Sequence, residues 1–318
     1  MTRTPPFPAT HLGILGYASF AQHRALPLPT ACAREPRSRL TKASSRSPHP
    51  PKKPFAVFST FLNTVAPLQS RFHSRRQLRF LDDLTLSDAA QRFGMTRDLY
   101  LYLHHYFFHL LPVRARHHRQ YFSVQQRGFG ENAFHAMWYL LLREYRPGRC
   151  LEIGVYRGQT ISMWALYGDL LSFDIAVTGI SPFSPTGDSV SRYPRSIDYY
   201  ADTLDNFAKM GLPAPRLIRA LSSDAQARDA IAAQAWDLIF IDGNHDYDVA
   251  VQDYEACVRA LPPGGMLVID DSSLYTDYVP PWYSFAGHPG PSRIVRDRAA
   301  HELIRVATVG HNNIFRKE

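Results

Sequence analysis

The chain has 318 residues, an apolar content of 45% and a formal net charge of +8. That apolar share is ordinary for a globular protein with a sizeable core, and no apolar run reaches the ~20 residues that a membrane span requires. The three cysteines, Cys32, Cys150 and Cys257, lie far apart, which excludes a disulfide framework and a Cys-x-x-Cys metal pair. This usage fits a reducing compartment, so we expect a cytoplasmic protein without a transmembrane segment.

The positive charge is concentrated in the first quarter of the chain. Residues 1–80 contain 13 Lys and Arg and one acid, Glu35, for a charge of +12, whereas residues 81–318 contain 23 against 27, for −4. A basic protein is often one that binds nucleic acid. Here the basic part is a tail and the remainder is mildly acidic, so we expect no nucleic-acid substrate.

The tail itself shows no sign of a core. Residues 1–54 hold 10 of the 24 prolines and no sustained periodicity, so they cannot bury enough apolar surface to offset chain entropy, and we expect disorder. Three interpretations stay open: no function, organelle targeting by an Arg- and Ser-rich segment, or binding to a polyanion. Residues 55–80 are mixed apolar and basic, and form either a linker that folds onto the domain or an amphipathic helix at a membrane surface. We assign residues 1–80 to this basic tail.

Residues 81–148 have a helical pattern. The segment 85–90 starts with residue types that cap helices, and the apolar residues of 133–143 recur at helical spacing. Pro147 and Gly148 end the last helix. We therefore predict a helical cap ahead of the main domain.

Residues 149–318 alternate between strand and helix patterns. The candidate strands lie at 150–153, 175–180, 216–219, 237–241, 266–270, 303–309 and 312–316. Repeated strand–helix units imply a parallel sheet with helices on both faces, and Gly310-His311 between the last two strands is a hairpin signal. The predicted fold is α/β: a doubly wound, Rossmann-like, seven-stranded sheet with one antiparallel edge strand.

A glycine motif follows the first of these strands. The residues Glu152, Gly154 and Gly158 give the spacing Glu-x-Gly-x-x-x-Gly between a strand and a helix. Free backbone N–H groups and the helix dipole converge at such a turn, and glycine lets a ligand approach the backbone closely. The spacing is neither that of dinucleotide enzymes nor that of a phosphate loop. It predicts a site for a polar or anionic group.

Three carboxylates follow two further strands. Asp242 ends one strand, and Asp270 and Asp271 end the next. Ligands of doubly wound folds bind beyond these strand ends, and clustered carboxylates repel one another unless a cation or protons neutralise them. Hard oxygen donors suit Mg²⁺ or Ca²⁺. The alternative is that these residues only cap helices or orient a cofactor.

These motifs resemble those of class I S-adenosylmethionine (SAM) methyltransferases over about residues 130–318. The glycine motif and the Pro263-Gly264-Gly265 turn before a strand are similar to theirs, and the run Ile241–Tyr247 resembles the Mg-dependent sugar and macrolide O-methyltransferase branch. The resemblance implies SAM-dependent O-methylation of a small-molecule or glycan acceptor, with the participation of Mg²⁺ and a homo-oligomeric state left open. The alternative is an inactive or differently catalytic relative that binds SAM or a glycan.

The resemblance also implies roles for single residues. The cofactor-binding positions it indicates are Glu152, Gly154, Tyr156, Gly158, Ser181, Ser222, Ser223 and Asp242. The metal ligands it implies are Asp242, Asp270 and Asp271, and the catalytic residues are His245, as the base that takes the hydroxyl proton, and Asp242. Residues 275–291, rich in aromatics, are expected to line the acceptor pocket.

Ser181 departs from the family pattern. Family members end the second strand with an acid, because one carboxylate accepts hydrogen bonds from both ribose hydroxyls. Serine makes only a single, weaker contact. Either the affinity for SAM is reduced, or another group such as Asp188 substitutes, or catalysis has been lost.

Overall fold

The computed structural model describes residues 82–318, so the predictions for the basic tail lie outside the described residues. Among these described residues, four α-helices precede the first strand: α1 Leu86–Phe93, α2 Arg97–His109, α3 Val113–Ser123 and α4 Asn132–Tyr145. Side chains of Thr85 and Thr96 accept hydrogen bonds from backbone N–H groups of the first turns of α1 and α2, which satisfies donors that have no partner within the helix.

The sheet has seven strands. They are β1 Arg149–Ile153, β2 Ala176–Ser181, β3 Arg216–Arg219, β4 Leu238–Ile241, β5 Met266–Ile269, β6 Ile304–Val309 and β7 Asn312–Arg316. The connecting helices are α5 Gln159–Leu171, α6 Tyr199–Lys209, α7 Ala225–Ala232, α8 Tyr247–Ala260 and α9 Pro289–Ile294, the last extended by a π-helical turn at Val295–Ala299 and a short turn at Ala300–Glu302.

The strand order is β3-β2-β1-β4-β5-β7-β6. The first five strands are parallel, and β7 pairs antiparallel with both β5 and the edge strand β6. This confirms the predicted Rossmann-like α/β fold. The topological switch point, where the strand order reverses direction, lies between β1 and β4. In doubly wound folds, ligands bind beside this point.

Two hydrophobic cores cover the two faces of the sheet. The alternation along β4 sends Leu238 and Phe240 to one core and Ile239 and Ile241 to the other, as the period of two in a strand requires. The first core also holds the buried residues of α1, α2 and α4. The cap helices and one face of the sheet therefore share a single core, while the division of the chain at residues 80 and 148 stays a prediction.

The cap is joined to the sheet by an aromatic contact. The rings of Trp138 on α4 and Trp164 on α5 lie 5.0 Å apart, and Trp138 lies 5.1 Å from Phe240 on β4, all with nearly perpendicular planes. Such edge-to-face pairs stabilise beyond the area they bury. Within residues 82–318, we find no helix with the length and apolarity that crossing a membrane demands.

Truncating this contact should destabilise the protein. Because Trp164 is fully buried, Trp164→Ala should lower the free energy of unfolding by about 3–5 kcal/mol through lost contacts and a cavity. The matched control is Trp282→Ala, since Trp282 is 86% exposed and its loss should change stability by about 0.5 kcal/mol at most. Urea unfolding followed by far-UV circular dichroism measures both, and equal losses would contradict the assigned core.

Candidate active site

A cleft lies at the carboxyl ends of β1, β2 and β4. Its cavity volume is about 270 Å³, close to the lower end of the ~300–1,000 Å³ typical of small-molecule sites. Six of the predicted cofactor-binding residues line it: Gly154, Tyr156, Ser181, Ser222, Ser223 and Asp242. The other two, Glu152 and Gly158, lie behind the loop rather than in the lining.

Gly154 is required by the protein itself. Its φ is 104°, and a Cβ there would lie 1.8 Å from the carbonyl oxygen of Asp242. Backbone hydrogen bonds hold the neighbouring chain at this distance, since Asp242 donates its N–H to Ile153 and Gly154 donates its own to Ile180. Gly158 caps α5 with a φ of 80°, and its Cβ would meet the side chain of Thr203 at 2.7 Å. Both glycines fix the shape of the loop before any ligand binds.

Glu152 is buried beneath the glycine loop and is hydrogen-bonded to the first turn of α5. Burial, and secondarily the charge of Asp270, raises its pKa to about 8, against opposing hydrogen bonds from Thr160 and Ile161. One carboxylate oxygen, Oε2, accepts no hydrogen bond. Glu152 therefore joins the glycine loop to the first turn of α5 and is not exposed to the cleft.

Arg157, in the same loop, is also held by the protein. Its guanidinium forms two hydrogen bonds, of 2.6 and 2.9 Å, with Asp202 and a third with the carbonyl of Gln125. These contacts hold the side chain away from any ligand and join the loop to α6.

Ser181 lies at the end of β2 and lines the cleft. Its Oγ faces the backbone N–H of Phe183 at 3.5 Å. Asp188 also lines the cleft, but its carboxylate already accepts backbone hydrogen bonds from Val190, Ser191 and His245 as well as one from the His245 ring. Burial would raise the pKa of Asp188, and these hydrogen bonds reverse the effect and lower it.

The serines after β3 contact the cleft from the opposite side. Ser222 donates its hydroxyl to Asp253 at 2.9 Å, which fixes the side chain against α8. Burial raises the pKa of Asp253 to about 6. Asp224 accepts the Leu221 N–H at 2.9 Å, so this turn is stabilised by its own acid while Ser222 and Ser223 remain in the lining.

The three predicted metal ligands lie close together. Burial, followed by the charges of Asp270 and Asp271, raises the pKa of Asp242 well above its ordinary value, and its side chain is hydrogen-bonded to Asp270. Burial likewise raises the pKa of Asp270 to about 6. The Oδ1 atom of Asp270 is buried and accepts no hydrogen bond. The oxygens of Asp270 and Asp271 fit a divalent cation, which would supply the missing charge and partner.

His245 lies between two carboxylates. Its Nδ1 is 2.6 Å from Asp188 Oδ2 and its Nε2 is 2.9 Å from Asp271 Oδ2. Burial would lower the pKa of His245, but the hydrogen bonds and charges of Asp271 and Asp188 outweigh it and raise the pKa to about 9. The imidazole is therefore protonated at neutral pH as long as both carboxylates are charged.

Two further histidines surround Asp271. His311, in the β6–β7 turn, has its Nε2 3.3 Å from Asp270 Oδ1 and 3.7 Å from Asp271 Oδ1, and His288 Nε2 is 3.7 Å from Asp271 Oδ2. Within residues 82–318, two groups have ligand atoms close enough to share a cation: His245, Asp271 and His288, and Asp270, Asp271 and His311. Asp242 is in neither group. Sequence reasoning missed His288 and His311, although the hairpin signal at Gly310-His311 had placed the second beside the sheet.

The aromatic segment 275–291 connects this cluster to the cap. The tilted rings of Phe285 and His311 are in contact, with centroids 4.6 Å apart, and the buried Tyr278 contacts Tyr100 of α2. Ser284 donates its hydroxyl to Glu131, just before α4. The segment therefore borders the carboxylates, as the acceptor-pocket prediction requires.

Residues 151–272 match a family model described as a methyltransferase domain, and no curated protein matches the chain. A solved SAH-bound methyltransferase from Podospora anserina is 17% identical, with a TM-score of 0.45, over 65% of this chain and 89% of that one. A SAM-bound O-methyltransferase of tomaymycin synthesis from Streptomyces achromogenes is 19% identical, with a TM-score of 0.42, over 68% of this chain and 96% of that one.

A methyltransferase of the mycinamycin pathway, solved with Mg and SAH, is 22% identical, with a TM-score of 0.35, over 50% of this chain and 37% of that one. The family match spans β1 to β5 and the glycine loop, the parts that form the cleft. Together with the strand order of the sheet, it identifies residues 151–272 as a methyltransferase domain.

Proposed function

We propose that the protein transfers the methyl group of SAM to a hydroxyl oxygen of a small molecule or glycan. The observation that carries this proposal is that Asp242 lines the cleft and also lies beside Asp270 and Asp271. A cofactor in the cleft and a hydroxyl at the cluster would therefore lie side by side, and methyl transfer depends mainly on such proximity and alignment. As part of the same proposal, we place this reaction in the cytoplasm.

The cleft suggests one orientation for the cofactor. The methionine end would lie over the loop that contains Gly154 and Tyr156. The ring of Tyr156 packs against those of Tyr193 and Tyr199, at centroid distances of 5.6 and 5.4 Å. The ribose would contact Ser181, and the adenine would contact Ser222 and Ser223. When bound, SAM supplies a methyl group on a positively charged sulfur.

The protein's own contribution to the reaction is to hold and accept a proton. Asp188 fixes Nδ1 of His245 by a charge-assisted hydrogen bond, so Nε2, which contacts Asp271 at 2.9 Å in this structure, is the atom that would take the hydroxyl proton once it is released from Asp271. During methyl transfer from bound SAM to the hydroxyl oxygen, that proton would move to Nε2. His245 must be neutral beforehand, and with Asp271 charged beside it the pKa of about 9 opposes this. A divalent cation at the carboxylates would offset the charge of Asp271 and polarise the acceptor hydroxyl.

Residues 81–148 and the segment 275–291 would cover the acceptor. Phe285 and Trp282 are exposed in this segment, and flat aromatic faces suit either an aromatic acceptor or the apolar face of a sugar. This assignment of the cap as a lid rests on its contacts with the segment through Tyr100 and Glu131.

Restoring the acid at the end of β2 should tighten SAM binding. In Ser181→Asp, a carboxylate accepts hydrogen bonds from both ribose hydroxyls, and at about 1.5–3 kcal/mol for a bond to a charged group the dissociation constant should fall at least tenfold. Calorimetric titration with SAM measures it. The control is Thr186→Asp, which adds the same charge at an exposed position of the same cleft and should leave the affinity within about twofold, because it offers no ribose contact. Weaker binding by Ser181→Asp would place the ribose elsewhere.

Removing the proposed base should abolish transfer and spare cofactor binding. With radiolabelled SAM and a panel of hydroxylated aromatics and sugars, His245→Gln should transfer about 10²–10⁴-fold more slowly than wild type, while the SAM dissociation constant stays within about threefold. His301→Gln, at an exposed histidine outside the site, is the control and should retain the wild-type rate. The absence of transfer by wild type to any acceptor, or full transfer by His245→Gln, would contradict the proposal.

A further inference from the structure

His311 is held rigidly beside the carboxylate cluster. It is buried, and its ring lies between those of Phe134 and Phe285, each with a centroid distance of 4.6 Å. The side chain enters the site from the β6–β7 turn, which lies next to β5 because β7 pairs with that strand. The sheet itself therefore positions this imidazole against Asp270 and Asp271.

The two ring nitrogens of His311 face different groups. Nδ1 lies 3.4 Å from the backbone carbonyl of Phe285, an oxygen that can only accept a hydrogen bond, so the proton of a neutral ring resides on Nδ1. The lone pair of Nε2 then points at the carboxylates. Histidines that bind metals show this arrangement, in which the second nitrogen donates to a carbonyl or carboxylate and orients the ring.

The opposing oxygens are arranged as ligands rather than as hydrogen-bond acceptors. Asp270 Oδ1 accepts no hydrogen bond although it is buried, so its 3.3 Å approach to His311 Nε2 has the wrong angles for one. Two ligands of one cation, each bound at about 2.1 Å, lie about 3.0–3.4 Å apart in octahedral or tetrahedral coordination. The observed separations of 3.3 and 3.7 Å match that spacing after small shifts.

We propose that His311 Nε2 is a nitrogen ligand, together with Asp270 and Asp271, of a divalent cation at this site, which therefore prefers Mn²⁺ or Co²⁺ to Mg²⁺. Mg²⁺ is bound in proteins by oxygen, whereas imidazole suits first-row transition metals. The inference rests on the proposed function, whose acceptor would lie at the same cluster, but it concerns the identity of the metal and its ligand.

Two other arrangements compete with this one. In the first, His311 is a cation that neutralises the acids and no metal binds; the charges of Asp270 and Asp271 do raise its pKa against the effect of burial. In the second, the cation lies at His245, Asp271 and His288. We favour His311 over that group because His245 Nε2 already has a hydrogen-bonding partner, Asp271 Oδ2 at 2.9 Å, whereas the orphaned oxygen of Asp270 faces His311.

The test uses the full chain and Mn²⁺ or Mg²⁺ chloride as the only added ligand. Electron paramagnetic resonance titration gives the Mn²⁺ dissociation constant, competition gives that of Mg²⁺, and electron spin-echo modulation detects a directly bound nitrogen. We expect Mn²⁺ to bind at least ~100-fold more tightly than Mg²⁺, with nitrogen modulation. His311→Gln should weaken Mn²⁺ binding at least ~tenfold, remove the modulation and change Mg²⁺ binding by less than about threefold.

The matched control is His288→Gln. His288 Nε2 lies 3.7 Å from Asp271 Oδ2, the same distance that separates His311 Nε2 from Asp271 Oδ1, and its removal should keep both the Mn²⁺ affinity and the nitrogen modulation. Should His311→Gln fail to fold, the His245→Gln/His288→Gln double variant decides the question, because nitrogen modulation that survives in it belongs to His311. No Mn²⁺ binding, no nitrogen modulation, or modulation lost in either of the last two variants overturns the proposal. Calorimetry with SAM on the same samples tests the cofactor site separately, so failure of the proposed function would be distinguished from failure of the metal assignment.

Discussion

The close backbone contact between Gly154 and Asp242 is the constraint on which the rest of the site depends. A side chain at residue 154 would collide with the carbonyl of Asp242, so glycine there allows the ends of β1 and β4 to meet. The glycine loop then borders the cleft, and the carboxylate of Asp242 lies where the cleft and the acidic cluster join. A glycine that the resemblance assigns to cofactor binding is thus required for folding as well, and its substitution by a larger residue would report on both at once.

His245 connects the two parts of the site electrostatically. Asp188 and Asp271 hold it from opposite sides, and its position and its charge have the same cause. The carboxylates that orient the ring also keep it protonated, since a nearby negative charge favours the charged imidazole. Acid–base function at this position therefore depends on what neutralises Asp271.

Much of this could be predicted from the sequence, because the signals are local. Each of the seven strands has its own apolar run and turn residues, and the carboxyl ends of parallel strands meet at one edge, which brings Asp242 to Asp270 and Asp271. The role of Asp188 could not be predicted, since it lies in an irregular segment between β2 and α6 with no period to read. His311 reaches the cluster only because β7 inserts between β5 and β6, a pairing between distant parts of the chain. The place of Gly154 against Asp242 depends on the same kind of long-range register.

The core shared by the cap and the sheet limits how an acceptor can enter. Swinging the cap helices away as a rigid body would separate Trp138 from Trp164 and Phe240 and expose these rings to water, at a cost of about 1.5–3 kcal/mol for each large apolar side chain. This cost opposes opening by a rigid-body movement of the cap. The segment 275–291, in contrast, carries the exposed rings of Trp282 and Phe285, so movement of this segment would expose less buried apolar surface than movement of the cap.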